Sequence, residues 1–186
     1  MFVASSVAEV KKNGVVWLTG GSWWGTVVEK GRDVEDFDTD EDEFLGTFMH
    51  SLDTKGRLVL PSEHRALLEE GRLVMTLGFD GNMVIHPVAD WRVMRDSLGE
   101  MQRGNREQRR IARAIYGHAS KQVMDRQGRV TVTQKLRTTC NLMKDVAVVG
   151  MGDHIEVWPA EAWGDEEGAS VETYTSTRDS VGIGKL

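Results

Sequence analysis

The residues best suited to binding chemistry in this sequence are two arginines that each directly follow a tight turn. The chain reads DTKGRL at 53–58 and DRQGRV at 125–130, so Arg57 and Arg129 both follow an Asp-x-x-Gly phrase. A guanidinium group can donate paired hydrogen bonds to a phosphate or to the O6/N7 edge of guanine. It can equally form an ion pair with the aspartate of its own turn, and the sequence leaves both interpretations open.

The two turns belong to a longer internal repeat. At an offset of 72, the segment 53–91 matches the segment 125–163 without a gap at 8 of 39 positions. The identical pairs are Asp53/Asp125, Gly56/Gly128, Arg57/Arg129, Arg65/Arg137, Val74/Val146, Gly78/Gly150, Pro87/Pro159 and Trp91/Trp163. Because a chance match rarely stays in one register over such a length, the sequence predicts a duplicated unit of about forty residues.

Each copy is predicted to contain the same order of elements. A strand, the Asp-x-x-Gly turn and a second strand form a hairpin, and a short helix begins at the next Pro or Thr. A second strand pair and the start of another helix follow. In the first copy the four strands fall at 44–52, 57–60, 73–77 and 83–86, and in the second at 121–124, 129–132, 146–149 and 155–157.

A second basic set lies between the copies, where residues 92–117 have a helical pattern broken at Gly104-Asn105, with Asn105 as a candidate N-cap. Arg106, Arg110 and Arg113 share one helical face. This pattern predicts either a solvated face, with ion pairs to Glu107 or to a neighbouring subunit, or contact with phosphates.

Catalytic patterns are absent from the sequence. None of the histidines (His50, His64, His86, His118 and His154) has metal-ligand spacing or a nucleophile beside it. There is no GxGxxG, no Walker A motif and no carboxylate pair that recurs in both copies. The single Cys140 excludes a disulfide framework and a cysteine-rich zinc site. We therefore expect no enzyme, no cofactor, no metal and no small-molecule substrate, and the lack of a long apolar run predicts no membrane span.

The charge is distributed unevenly along the chain. The net charge of -6 combines -6 in residues 1–43, +3 in residues 44–163 and -3 in residues 164–186. The repeated region is thus mildly basic, and the acid lies in its two flanks. We predict that residues 1–43 are a disordered or non-native extension from an upstream start codon, and that residues 164–186 are a flexible polar tail.

Four stretches, FLGT at 44–47, LDTKGRLVLP at 52–61, GHAS at 117–120 and MDRQGRV at 124–130, resemble the MraZ family of bacterial transcription regulators. The hairpin phrase itself resembles the SpoVT-AbrB, or swapped-hairpin, DNA-binding domain. The resemblance implies an α+β fold in which two tandem AbrB-like β-α-β units form a pseudo-dimeric, double-psi or swapped-hairpin type of barrel with helices. The domains would be 44–91 and 121–163, with linking helices at 92–120.

The resemblance also implies a function. Members repress their own operon, the division and cell-wall cluster, by binding short TGG-rich direct DNA repeats as ring-shaped homo-oligomers. The protein would then be cytoplasmic and nucleoid-associated. Carried over to this chain, the DNA-reading residues are Lys55, Arg57 and Arg129, and the hairpin pattern adds Arg126 at the tip of the second turn. Gln127 stands where the first copy has Lys55, so the halves are expected to contact DNA unequally.

The alternative is an antitoxin-like protein-interaction module with the same AbrB-type fold, because such domains also serve as antitoxins whose tails cap a partner. The polar tail at 164–186 has no amphipathic anchor, which favours the DNA-binding interpretation.

Overall fold

The computed structural model of the chain describes residues 8–12, 15–19 and 43–177, which fall into two compact units divided between Asp40 and Glu41. In the first unit, strands β1 (Ala8–Lys12) and β2 (Val15–Thr19) form an antiparallel pair. The acidic run and most of the remaining extension lie outside the described residues. The disordered or non-native character assigned to residues 1–43 therefore stays a prediction.

The second unit has the predicted α+β composition. Its strands are β3 (Thr47–Ser51), β4 (Arg57–Val59), β5 (Arg72–Leu77), β6 (Met83–Pro87), β7 (Ser120–Val123), β8 (Arg129–Thr131), β9 (Asp145–Gly150) and β10 (Ile155–Pro159). Its helices are α1 (Ser62–Ala66), α2 (Val88–Arg103), α3 (Arg106–His118), α4 (Gln134–Thr139) and α5 (Ala160–Thr177). A short 3₁₀ turn, Glu69–Gly71, precedes β5.

The strands form an open sheet, and the predicted barrel is wrong. Six strands pair in the order β3-β9-β10-β6-β5-β7, and β4 and β8 pair with each other in a separate two-stranded ribbon, in which Leu58 also forms an isolated antiparallel bridge with Leu52. The sheet is open because its two edge strands, β3 and β7, do not pair with each other in the part of the chain that the structure describes. The three-residue strands of the ribbon are not inserted between them to close a barrel. The swapped-hairpin detail remains a prediction.

The two repeats exchange their first strands. β3 of the first repeat pairs with β9 of the second, and β7 of the second repeat pairs with β5 of the first. The main hydrophobic core accordingly takes residues from both repeats, among them Leu58, Leu60, Val130 and Leu136, all fully buried or nearly so. The repeats therefore form one body with a shared core.

The structure also corrects the register of the repeat. The offset of 72 holds for the ribbon strands, for β6 and β10 and for the helix starts, but β9 is offset by 73 from β5. Val146 therefore takes the place of Leu73, and the matched pairs Val74/Val146 and Gly78/Gly150 are not structural equivalents. Compared with the first repeat, the second has one more residue before β9 and one residue fewer in the turn after it. The two changes cancel, so the pattern of apolar residues does not reveal the shift.

Helices cover the sheet unequally in the two repeats. In the first repeat α2 and α3 pack over β5, with Val74, Trp91, Leu98 and Ile115 buried between them. The predicted break before α3 is confirmed, because Asn105 forms a capping box with Gln108.

In the second repeat only the start of α5 contacts the sheet, where Trp163 packs on Trp158. In place of the predicted loose tail, residues 164–177 continue α5 as a helix, and the rest of the predicted tail, residues 178–186, lies outside the described residues.

Candidate nucleic-acid interface

The two-stranded ribbon brings the predicted arginines together on one face. In the ribbon Leu58 lies opposite Val130, and both side chains point into the core. Since side chains alternate along a strand, Arg57 and Arg129 both lie on the outer face. Arg57 pairs with Thr131 rather than with Arg129, so the two arginines are offset by two residues, about 7 Å along the ribbon.

Each turn holds its arginine through the aspartate that begins it. Asp53 Oδ1 accepts the backbone N–H groups of Lys55 and Arg57, each at 2.9 Å. Asp53 Oδ2 accepts from the Nε and Nη2 of Arg57, each at 2.6 Å. Gly56 closes the turn with its φ of 74°, a left-handed conformation that favours glycine. The hydrogen bond from the Arg57 side chain is the main reason that the pKa of Asp53 is lowered to about 2.

The second turn repeats this geometry. Asp125 Oδ1 accepts from the backbone of Gln127 at 2.8 Å and of Arg129 at 3.0 Å, and its Oδ2 accepts from the Nε of Arg129 at 2.8 Å and the Nη2 at 2.7 Å. The pKa of Asp125 is lowered for the same reason, a hydrogen bond from its arginine. In the structure, each of the two arginines therefore forms an ion pair with the aspartate of its own turn.

The ion pairs do not use every donor of these guanidinium groups. Both pairs are made through Nε and Nη2, and within residues 43–177 no hydrogen bond uses the Nη1 of Arg57 or Arg129. About a third of each side chain is exposed, 30% for Arg57 and 27% for Arg129. An external acceptor could thus bind Nη1 while the aspartate holds the group in place.

Lys55 and Arg126 lie at the exposed tips of the two turns. Neither side chain forms an ion pair with the described residues. They occupy different positions of their turns, because Thr54 stands where the second turn has Arg126. Each turn therefore has one cationic side chain at its tip, two residues before the arginine in the first turn and three residues before it in the second.

Two further arginines, which the sequence analysis did not assign to the site, complete each turn from the opposite repeat. A Cβ placed on Gly56 would lie 2.7 Å from the Cζ and Nε of Arg137, on α4. A Cβ placed on Gly128 would lie 2.5 Å from the Cδ and Nη1 of Arg65, on α1. In the sequence, Arg65 and Arg137 are visible as an identical pair at matching positions of the repeat. This match by itself does not indicate contact with the turns.

The charges of these two arginines are uncompensated among the described residues. The buried Nε atoms of Arg65 and Arg137 have no hydrogen-bond partner there, and neither side chain forms an ion pair. Backbone bonds tie the same parts together, from Leu60 N–H to Gly128 O and from Val132 N–H to Gly56 O, each 2.9 Å long. Each turn is thus supported by the other repeat.

We call this face, the ribbon with its two turns and the flanking helix arginines, the ribbon surface. It carries six cationic and two anionic side chains. They are Lys55, Arg57, Arg65, Arg126, Arg129 and Arg137, with Asp53 and Asp125.

The arginines of α3 lie elsewhere. Arg106, Arg110 and Arg113 are exposed along that helix and form no ion pair with Glu107 or with any other described residue. The structure therefore leaves open the other interpretations of this face, contact with a neighbouring subunit or with phosphates.

His64 and Cys140 are buried in the protein, and their surroundings indicate a structural role. His64 is buried against the rings of Phe44 and Phe48 and donates from Nε2 to the Leu45 carbonyl at 3.0 Å. Burial raises the pKa of the Cys140 thiol to about 11, which disfavours the reactive thiolate.

His86 and His154 lie with ring centres 5.4 Å apart. Burial lowers the pKa of His86 to about 4. In contrast, the nearby carboxylates of Glu156 and Asp153 raise the pKa of His154. In the part of the chain that the structure describes, no cluster of three or more His, Cys, Asp or Glu side chains could hold a metal ion. None of the helices in that part is long and apolar enough to cross a membrane.

Comparison with known proteins matches both repeats. A family model described as "MraZ protein, putative antitoxin-like" matches residues 44–114 and again residues 115–179. Three curated relatives named "Transcriptional regulator MraZ" are similar to most of the chain. The Alkaliphilus metalliredigens protein is 32% identical over 143 residues, 75% of this chain and 99% of its own length. The Pediococcus pentosaceus protein is 34% identical over 120 residues, 64% and 83% of the two chains, and the Lactobacillus gasseri protein 34% over 138 residues, 74% and 96%.

Proposed function

The chain belongs to the MraZ family, whose curated relatives are named transcriptional regulators, and we propose that it regulates transcription by binding DNA in a sequence-specific way through the ribbon surface. The observation that carries this proposal is the pair of aspartate-held arginines, Arg57 and Arg129, on one exposed ribbon face. The proposal needs no catalytic step.

The dimensions and chemistry of the ribbon suit the major groove of DNA. A two-stranded β-ribbon fits into this groove, where arginine can bind guanine O6 and N7. Because Asp53 and Asp125 already hold Arg57 and Arg129, little side-chain freedom remains to be lost on binding. We assign base contacts to these two arginines. Phosphate contacts fall to Lys55, Arg126, Arg65 and Arg137, which carry no ion pair within the described residues.

The finer parts of the proposal come from the family resemblance. They are repression of the chain's own operon, the division and cell-wall cluster, through short TGG-rich direct repeats, and assembly into a ring-shaped homo-oligomer in the cytoplasm, at the nucleoid. The formal charge of residues 44–163 is only +3, which is low for a monomeric DNA-binding protein. A ring that presents several ribbon surfaces to adjacent repeats would multiply weak contacts through effective concentration.

Fluorescence anisotropy of the full chain tests this proposal. One labelled duplex carries tandem TGG-rich repeats from upstream of the gene, and the control duplex has the same composition scrambled. We expect a preference for the repeats that persists as salt is raised, because base contacts are less dependent on salt than phosphate contacts. Equal and salt-labile binding to both duplexes would contradict sequence-specific reading.

One observation favours the antitoxin-like alternative: none of the side chains of α5 is buried among the described residues, so the helix offers a surface for a partner. Purification from the native cell decides between the two functions. A protein that co-purifies in a fixed ratio, together with no binding to either duplex, would favour the interaction module.

A further inference from the structure

Within residues 43–177, helix α5 lacks the packing that a helix of its composition needs. It has 18 residues and buries none of their side chains, and beyond Trp163 it is rich in Gly, Ser and Thr. A helix of this length and composition is marginal in water unless one face packs against something. The structure therefore contains a helix whose own contacts do not account for its stability.

The other repeat shows what is missing. Helix α2 occupies the equivalent position in the first repeat, and α3 covers it through Leu98 and Ile115. No helix among residues 43–177 covers α5 in this way. The stripe that starts at Trp163 on the sheet continues along α5 through Glu167 to Tyr174. Val171 beside it is 58% exposed and Tyr174 is 47% exposed.

The charges of α3 and α5 are complementary. Helix α5 carries five carboxylates and no lysine or arginine, whereas α3 carries four arginines and one glutamate. Two of these arginines, Arg109 and Arg113, line a groove of about 320 Å³ between α2 and α3. Its lining residues are Gln102, Arg109, Ala112, Arg113 and Tyr116.

We propose that α5 of one copy packs into the α2–α3 groove of a second copy. Glu167 meets the guanidinium groups of Arg109 and Arg113, and Val171 and Tyr174 fill the apolar part of the groove. The pairing joins two different surfaces, so each added copy presents a free groove at one end and a free α5 at the other. This inference rests on the self-association proposed above and names the surfaces that make it.

Charge reversal with rescue tests the contact on the full chain. Native mass spectrometry and light scattering would measure the assembly of the wild type, Arg113→Glu, Glu167→Arg and the double variant. We expect the wild type to be a multiple of 20.8 kDa and each single variant to dissociate, its association constant lowered at least about tenfold by like charges in contact. The double variant should reassemble, because the two reversed charges are again opposite in sign where one copy meets the next.

Helicity provides a second measurement. Far-UV circular dichroism should show a loss of helix in the dissociated single variants and its return in the double variant, since α5 depends on the contact. Arg92→Glu changes a residue of α2 outside this groove, so it is the matched control and should assemble as the wild type does.

Three outcomes would overturn the proposal: a monomeric wild type, single variants that assemble normally, or a double variant that fails to reassemble. DNA binding is measured separately on the same samples. A wild type that assembles as described but ignores the repeats would remove the proposed function and leave this contact standing.

Discussion

Replacing Arg57 with alanine tests whether this side chain contacts DNA bases or only the phosphates. Its Nε and Nη2 are held by Asp53, and Nη1 has no hydrogen bond within residues 43–177. If the guanidinium binds a guanine edge, its removal takes away a contact worth about 1–3 kcal/mol of discrimination, or roughly 5- to 150-fold in affinity for the repeats. Binding to the scrambled duplex should weaken far less, because only one charge is removed.

The fold should survive this change. Arg57 lies on the outer face of the ribbon, while Leu58 beside it supplies the buried contact. Surface ion pairs contribute little to stability, so we expect the melting temperature to change by no more than about a few degrees. Circular dichroism on the same samples would separate a loss of binding from a loss of folding.

Anisotropy on both duplexes across a salt series is the assay, and Arg129→Ala is the matched variant in the second repeat. If Arg57→Ala weakens binding to the repeats and to the scrambled duplex by the same factor, Arg57 contacts phosphate and the assignment of base contact is wrong. If neither duplex is affected, the ion pair with Asp53 is the whole role of this side chain.

Three further predictions concern the surroundings of the turns and the histidine pair. Gly56→Ala should destabilise the fold by more than Gly81→Ala, measured by urea unfolding, because both positions have a positive φ but only Gly56 has a guanidinium against it. Equal destabilisation would exclude the contact with Arg137. Arg137→Gln should reduce the slope of log K against log salt by about 0.9 for each phosphate that the variant no longer binds, with the preference for the repeats unchanged; an unchanged slope would contradict the phosphate assignment. Because the pKa of His86 is lowered in the folded state, this histidine is protonated at a higher pH in the unfolded state than in the folded state. The free energy of unfolding should therefore decrease as the pH is lowered from 6.5 to about 4. His86→Gln should flatten that part of a pH series of urea melts, and a curve identical to the wild type would exclude His86 as its cause.

Local features of the site could be predicted because they depend on residues close together in the chain. The Asp-x-x-Gly phrase predicts a turn from the carboxylate of Asp53 and the positive φ of Gly56, and the structure has both. Asn105 was predicted as an N-cap for the same reason. The ion pair between Arg57 and Asp53 was one of two interpretations left open, since partners four residues apart are visible in the sequence.

The repeat was visible in the sequence, but its alignment was imperfect. Val74 and Val146 match in type at an offset of 72, yet the strand around Val146 is shifted by one residue. A buried strand of continuous apolar residues tolerates such a shift without an obvious change in its pattern. Only the pairing of β9 with its neighbours identifies which residue takes which place.

The sequence by itself determined the duplication, the two turns, the arginines that follow them and the basic character of the repeated region. Tertiary structure alone decided that β4 pairs with β8, that the sheet is open, that no helix among residues 43–177 covers α5, and that Arg65 and Arg137 reach the turns of the opposite repeat. The physical reason is the distance along the chain between the partners. Turn geometry is set by hydrogen bonds within about five residues, whereas Arg137 and Gly56 meet only because a shared core brings the two repeats together.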